Sequence, residues 1–445
     1  MVGKRAYRRI CVNDIDRNQL VEAALAYGST GTVMGFDIAK HEIVACVRWG
    51  QGCFERPWKI VNTDEIGLLV ELCSLLKSKC DGFSVGLEST GTYGDSARFA
   101  LTQAAINVQR VSGKAVSDYK EIFDGVSSQH DGKDAAMIAE LVAMGKGVLW
   151  PYSSLSENMQ VIKHHVLRID GFRNLHTQWL GRLEAQVARH WPELTSHLKL
   201  GSVTLLKMLE AYGSPAKAIA DPNLAQNLAV WGKRYVPEEK ALGIMTSAKS
   251  TMGLPMNESE VCWVKEIAGE TLKAHREERK CNRVLRERIG CDSGMKRYSE
   301  AVGAATLAVI WTEVGDPCLY GSSGAFIKAI GLNLKEKSSG KRKGELAISK
   351  RGPALARRWI FFWAMRAVQR EELTAWFTVF ARVGNKSSSS EHRKMKGLVA
   401  LMRKLCRSLW HARVNNKDFD YAKVIQRAGS PKRRRRKRIT KATVV

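Results

Sequence analysis

Two apolar runs stand nearly end to end close to the start of this chain, and together they restrict its fold more than any other feature. Thr32-Val33-Met34-Gly35-Phe36-Asp37-Ile38 reads as a buried strand, and Glu42-Ile43-Val44-Ala45-Cys46-Val47-Arg48-Trp49 follows after three residues as a second. So short a gap leaves no length for a crossover, and the two runs predict an antiparallel hairpin. Asp37 lies inside the first run, where an ionised side chain is costly unless something compensates its burial.

A third strand over 53–61 would complete a meander. Thr63-Asp64 then reads as the cap of a helix running to Leu76, followed by a strand over 82–88, a helix over 93–105, a strand over 106–111 and a closing helix over 132–144. Three antiparallel strands followed by βαβα is the element order of a ribonuclease-H-like α/β domain with a mixed five-stranded sheet, here over 31–150. Residues 1–30 are basic and weakly patterned and read as an arm.

The pattern then changes. Met159, Ile162, Val166, Ile169, Phe172, Trp179, Leu183 and Val187 recur at helical spacing with no proline before Pro192, which predicts one long helix. A second polar, helix-prone run over 258–288 could pair with it as an antiparallel coiled-coil arm, giving a helical region over 151–295. A mostly α-helical C-terminal domain is expected over 296–425, interrupted by a basic loop over 335–352 and resumed at Pro353. The run Trp359, Ile360, Phe361, Phe362, Trp363 and Met365 is apolar on every side and reads as buried. After a serine linker over 387–390, an amphipathic helix places Met395, Leu398, Met402, Leu405 and Leu409 inside, and 426–445 reads as a disordered basic tail.

A chain of 445 residues is too long for one ordinary core. No run of eighteen apolar residues occurs and the first residues lack the stretch of a secretory signal, so a soluble, cytoplasmic protein is expected. The formal charge of +27 points to a polyanionic partner, nucleic acid before a membrane surface, because the charge is spread along the chain rather than gathered on one amphipathic helix. The ten cysteines include no C-x-x-C pair, so neither a zinc knuckle nor a disulfide framework is indicated.

Glu88 ends a second apolar strand, and Asp131 and Asp134 stand three apart at a predicted helix start. If Asp37, Glu88, Asp131 and Asp134 converge, they repel one another unless cations lie between them. Hard oxygen ligands at this count suit Mg²⁺ or Mn²⁺, and two such ions about 4 Å apart can hold the attacking and leaving oxygens of a phosphodiester. The competing reading makes these acids helix caps and surface charges. His130, His164 and His165 have no ligand spacing and read as ordinary polar residues.

At these residues the chain resembles the DEDD-type insertion-sequence transposases, a group of bridge-RNA-guided recombinases that includes related DNA invertases. Gly35-Phe36-Asp37-Ile38-Ala39-Lys40, Glu88-Ser89-Thr90-Gly91-Thr92-Tyr93 and His130-Asp131-Gly132-Lys133-Asp134-Ala135 resemble the family's three acid motifs. Ser338-Ser339-Gly340-Lys341 with Ile348-Ser349-Lys350-Arg351-Gly352 resembles its C-terminal transposase domain. The resemblance implies a RuvC-like (Holliday-junction-resolvase-like) domain whose metal ligands are Asp37, Glu88, Asp131 and Asp134. It implies Ser339 as a nucleophile that links covalently to DNA at a composite site shared with a neighbouring subunit. Its further implications are a dimer or tetramer, double-stranded donor and target DNA, and a structured guide RNA that pairs with both. The chain departs from the family at Ser299-Glu300-Ala301-Val302-Gly303, where Ile-Pro-Gly-Ile-Gly is usual, and at Pro353, where asparagine is usual; Ser338 beside Ser339 leaves the nucleophile open by one residue.

A serine hydroxyl needs a base, a metal or a strong field before it attacks. Around Ser339 the chain offers Lys335, Lys337, Lys341, Arg342 and Lys343 and no histidine, so cations stand ready to stabilise phosphorane charge while the activating centre must come from elsewhere. Lys350, Arg351, Arg357 and Arg358 flank the helix begun at Pro353 and read as further phosphate contacts, or as a solvated face. The rival readings are a nuclease of the same fold acting by water attack, a loop serine that only touches phosphate, and a non-catalytic nucleic-acid-binding scaffold.

Overall fold

A computed structural model describes residues 8–28, 30–88, 91–124, 130–152, 155–339, 342–382 and 390–425, without the side chains of 121, 124, 337–339, 342–345, 381–382 and 390–392. The basic tail expected over 426–445 and most of the serine linker lie outside the described residues. The chain divides into two compact units, Met1–Ser154 and Leu155–Val445. No described helix is long and apolar enough to cross a membrane.

In the first unit the two apolar runs form the expected hairpin, β2 (Val33–Ile38) and β3 (Glu42–Arg48), which stands beside a short edge strand, β1 (Ile10–Cys11), and β4 (Trp58–Val61). Then follow α2 (Ile66–Lys79), β5 (Ser84–Glu88), α3 (Asp95–Gln103), β6 (Asn107–Val111), α4 (Gly113–Asp124), α5 (Asp131–Ala143) and β7 (Val148–Leu149). The strand order is β1-β4-β3-β2-β5-β6-β7. The five expected strands are the middle of this sheet, with β2, β5 and β6 parallel, and the two-residue strands β1 and β7 extend its edges.

The alternation of strand side chains sorts the residues onto two faces. Met34, Phe36, Ile38, Ile43, Ala45, Val85 and Leu87 share one core with α1 (Arg17–Tyr27), α2 and α3. Val33 and Val44 pack on the opposite face, against α5. Asp37 has the parity of Val33, and Glu88 that of Gly86, so both carboxylates belong to the face that α5 covers. Gly35 permits this: a Cβ there would stand 2.1 Å from Ala135 O and 2.5 Å from Ala139 N, so strand and helix touch backbone to backbone.

Residues 10–27 are not an arm. Val12, Leu20 and Ala24 are buried in the α1–α3 core, and Ile10 pairs with Trp58. Thr63 and Asp64 do not cap α2 either; Glu65 precedes it, and its Oε2 accepts from Val61 N at 2.7 Å. Helix α4 was not expected at all, although Val116, Tyr119 and Phe123 pack together at helical spacing.

In the second unit the long helix is α6 (Glu157–His190), capped by Ser156. The short helices α7 (Leu194–His197), α8 (Val203–Tyr212), α9 (Pro215–Ala220), α10 (Leu224–Gly232) and α11 (Glu238–Lys249) lead to α12 (Glu258–Gly290), which opens on an Asn257/Glu260 capping box. Helices α6 and α12 pair antiparallel: Arg168 reaches Glu277 at 3.3 Å, the His176 and His275 rings lie 5.9 Å apart, and Arg189 reaches Glu260 at 3.8 Å. One end of the pair carries a core built with α8, α10 and α11; the other enters the core of α13 (Ser293–Val302), α14 (Ala304–Glu313), α15 (Ser323–Ile330), α16 (Ala354–Ala367) and α18 (Ser390–Val414). Helix α17 (Glu371–Arg382) stands between the last two in sequence. The basic loop expected over 335–352 is instead largely a hairpin of β8 (Leu334–Ser339) and β9 (Arg342–Ile348).

The contact at Gly35 generates a direct test. Gly35→Ala places a methyl group against the backbone of α5, and neither partner is a flexible side-chain end. The variant should lose about 3 kcal/mol of stability, read by denaturant unfolding; a loss below about 0.5 kcal/mol would contradict the packing described.

Candidate active site

Asp37 sits near the end of β2 and Glu88 at the end of β5, one step beyond the Phe36↔Leu87 pair of two parallel strands. Neighbouring strands lie about 4.8 Å apart, so the two carboxylates are side by side. Asp131 and Asp134 enter from the first turn of α5, which His130 caps by accepting at Nδ1 from Gly132 N at 3.1 Å. The start of α4 closes the other side: a Cβ on Gly113 would fall 2.0 Å from Glu88 Oε1.

The acids feel one another. Burial, then Asp134, Asp131 and Glu88, push the Asp37 carboxyl up to about 6, with Lys120 opposing. Burial and Asp134 raise Glu88 as well. Lys120 Nζ lies 3.0 Å from Asp134 Oδ2, while Asp134 Oδ1 is buried without a partner. Asp131 is the outer member, with 57 % of its side chain exposed and Arg9 Nη1 at 3.4 Å. Arg9 also pairs with Glu42. The sequence reading missed Lys120 and Arg9; the amphipathic spacing of α4 was the available signal for the first, and Arg9 left none.

Among the described residues no group of three or more His, Cys, Asp or Glu side chains is placed, as it stands, to hold a metal ion. The donor set nevertheless fits a hard divalent cation: four carboxylates, an unpartnered buried oxygen on Asp134, and an ammonium already drawn to that same carboxylate. Asp37, Glu88 and Asp134 would hold the ion from inside and Asp131 from the rim.

In the second unit, Ser338 and Ser339 lie on β8, and the β8–β9 register shifts between Lys337 and Ser339. The side chains of Ser338, Ser339, Arg342 and Lys343, and all of Lys341, lie outside the described residues. The neck of this hairpin is described. Ser349 N donates to Asn333 O at 2.8 Å, and the two side chains also bond; Lys350 takes a left-handed φ of 57°. Arg357 donates to Ile330 O at 3.1 Å and Gly352 O at 2.6 Å, and burial lowers its pKa. Arg358 pairs with Asp170. Arg357 and Arg358, two of the expected phosphate contacts, thus carry bonds within the chain, whereas Lys350 and Arg351 are exposed. The Ser299–Gly303 turn is likewise pinned from within, by Arg366 donating to Val302 O at 3.0 Å.

The raised Asp37 gives a pH signature. Its folded value near 6 exceeds the ordinary 3.8, so the folded chain holds this proton more tightly than the unfolded chain. The stability present below about pH 4 is then lost as pH rises through 6. Without added metal, Asp37→Asn should be more stable than the parent by about 1 to 2 kcal/mol at pH 7 after allowance for solvent screening, and equal to it near pH 4. Parallel melting curves across that range check this; a variant less stable at pH 7 would refute the clustering.

Residues 34–192 match the profile of the DEDD-type IS110 transposases, and residues 299–378 that of the IS116/IS110/IS902 family transposases. No curated protein matches the chain. The DEDD-type match suggests use of a divalent metal, and both families act on DNA. The two profiles span more than half of the chain and take in all four acids and the neck of the β8–β9 hairpin. By these matches the chain belongs to the IS110 family of insertion-sequence transposases, enzymes of DNA recombination.

Proposed function

We propose that this transposase cuts and rejoins DNA through a covalent serine–DNA intermediate, with Asp37, Glu88, Asp131 and Asp134 as the ligands of Mg²⁺ or Mn²⁺, two ions at full occupancy. The observation that carries the reading is Asp37: a carboxylate inside an apolar strand, pushed up to about 6 by burial and by three neighbouring acids. A fold retains such repulsion where a cation relieves it.

A bound divalent ion supplies charge stabilisation at the phosphoryl oxygens and lowers the cost of deprotonating a hydroxyl. The chain supplies the rest. Asp37 and Glu88 are fixed by strands and Asp134 by a capped helix, so the ligands are preorganised. Lys120 neutralises Asp134 in the free protein and must leave its Oδ2 for that oxygen to bind metal. Ser339 Oγ attacks phosphorus; the Oγ–P bond forms as the bond to the departing sugar oxygen breaks, and the proton lost by serine balances the one gained by that hydroxyl. Reversal on a second strand restores the phosphodiester without ATP. In the composite site that the family resemblance implies, the acids that activate Ser339 come from a neighbouring copy, so the working form is a dimer or tetramer. The charge of +27 suits a polyanionic load of donor DNA, target DNA and a structured guide RNA.

A denaturing gel with end-labelled DNA tests the reading. The parent should give a protein–DNA adduct, Ser339→Ala should give none and lose strand exchange by at least about 1000-fold, and DNA binding should stay within about twofold. An adduct that persists in Ser339→Ala and vanishes in Ser338→Ala moves the role by one residue. Cleaved DNA without any adduct favours water attack by a nuclease, and uncut DNA with binding intact favours a scaffold.

A further inference from the structure

Helix α16 departs from its sequence expectation in one respect. Trp359, Ile360 and Trp363 are buried as its composition requires, but Met365 is 47 % exposed and Phe362 only partly covered. Both line a cleft of about 960 Å³ where α16 meets α6. We propose that this cleft receives an unpaired nucleobase of a single-stranded nucleic acid. The proposal rests on the reading of the chain as a nucleic-acid enzyme and assigns it a base-recognition site apart from the acids and the serines.

The cleft contains a ready stacking surface. The Arg173 guanidinium lies 4.7 Å from the Trp359 ring centroid and 5.5 Å from that of Phe362. Its Nε donates to Glu278 Oε1 at 2.8 Å, which restrains the guanidinium, and its side chain lines the cleft and remains 42 % exposed, within reach of a second flat ring. A guanidinium stacked on an aromatic is a platform on which unstacked bases lie.

Charge argues for a base rather than a phosphate or an acidic peptide. Arg173 is neutralised by Glu278 and Arg358 by Asp170, while Arg366 donates to Val302 O and to Thr306 Oγ1 at 3.1 Å. Cations already committed in this way hold a shape and offer little surplus field. The amides of Gln178 and Gln369 line the same cleft, and each carries a donor pair and an acceptor, the complement of a base edge, while the Asn174 amide beside them donates to Asp170 and accepts from Arg358. The cleft exceeds one base in size and leaves room for the flanking sugar.

Fluorescence anisotropy on the full-length protein tests this at about 0.4 M salt, where phosphate-driven binding is suppressed and stacking persists. Short DNA and RNA strands are each compared with the same backbone carrying abasic positions. The parent should bind intact strands about tenfold more tightly than abasic ones, with the tighter of DNA and RNA identifying the source of the base. Arg173→Lys keeps the charge but removes the plane, and Gln369→Ala alters an exposed amide with little risk to folding. The first should bring the intact-to-abasic ratio close to one and the second should lower it, while duplex affinity stays unchanged. Equal binding of intact and abasic strands by the parent would overturn the proposal, as would an unchanged ratio in Arg173→Lys or displacement of the strand by poly-glutamate. No cleavage is read, so failure of the serine chemistry would leave this result standing, and the converse.

Discussion

The approach of α5 to β2 at Gly35 is the contact on which the acid cluster depends. A helix ordinarily packs on a sheet through side chains on both sides, but here the absence of one Cβ lets the helix backbone descend onto the strand. That descent brings the first turn of α5 over the ends of β2 and β5. Asp134 then comes close enough to raise both Asp37 and Glu88, and its own Oδ1 is sealed from solvent. With an ordinary separation Asp134 would stand farther from Asp37 and Glu88, and its push on their protons would weaken.

This arrangement works against stability in the metal-free chain. Like charges in a half-buried crevice oppose folding, and the local compensation is small: one ammonium, Lys120, on Asp134, and the Arg9 guanidinium at the rim by Asp131. The hydrophobic sheet bears the burden. Met34, Phe36, Ile43, Ala45 and Val85 are fully buried on the face opposite the acids, so the strands carrying Asp37 and Glu88 are held from behind. A site of this kind is built by strong packing on one face and tolerated repulsion on the other.

Much of this was legible in the chain because it depends on periodicities of two. The apolar runs give β2, β3 and β5, and an acid interrupting such a run marks itself. What was not legible depends on amphipathic or short elements. Helix α4 packs only Ala115, Val116, Tyr119 and Phe123 inward, and β1 is two residues whose partner lies forty-eight residues away in the register Ile10↔Trp58. The helical period likewise identified α6 and α12 but could not show that Phe362 and Met365 would be left lining a cleft, since a run apolar on every side carries no information about which side is covered. The β8–β9 hairpin was hidden for the opposite reason: its strands, rich in lysine and serine, carry no sustained apolar run, and what defines them is the backbone pairing.

The same limit applies to charge. An excess of +27 states that the chain will meet a polyanion but not which cations do so. Arg357 donates to two backbone carbonyls that close the base of the β8–β9 hairpin, Arg358 is held by Asp170, and Arg366 fixes the turn at Gly303. Each is a planar fork of donors, and a fork satisfied by carbonyls or a carboxylate is worth more to the fold than to a phosphate it would have to abandon those bonds to reach. Lys350 and Arg351, exposed at the same neck, have no such commitment. The arginines of α16 thus build the rigid support, and the cations left exposed to solvent are those at the hairpin neck, Lys350 and Arg351.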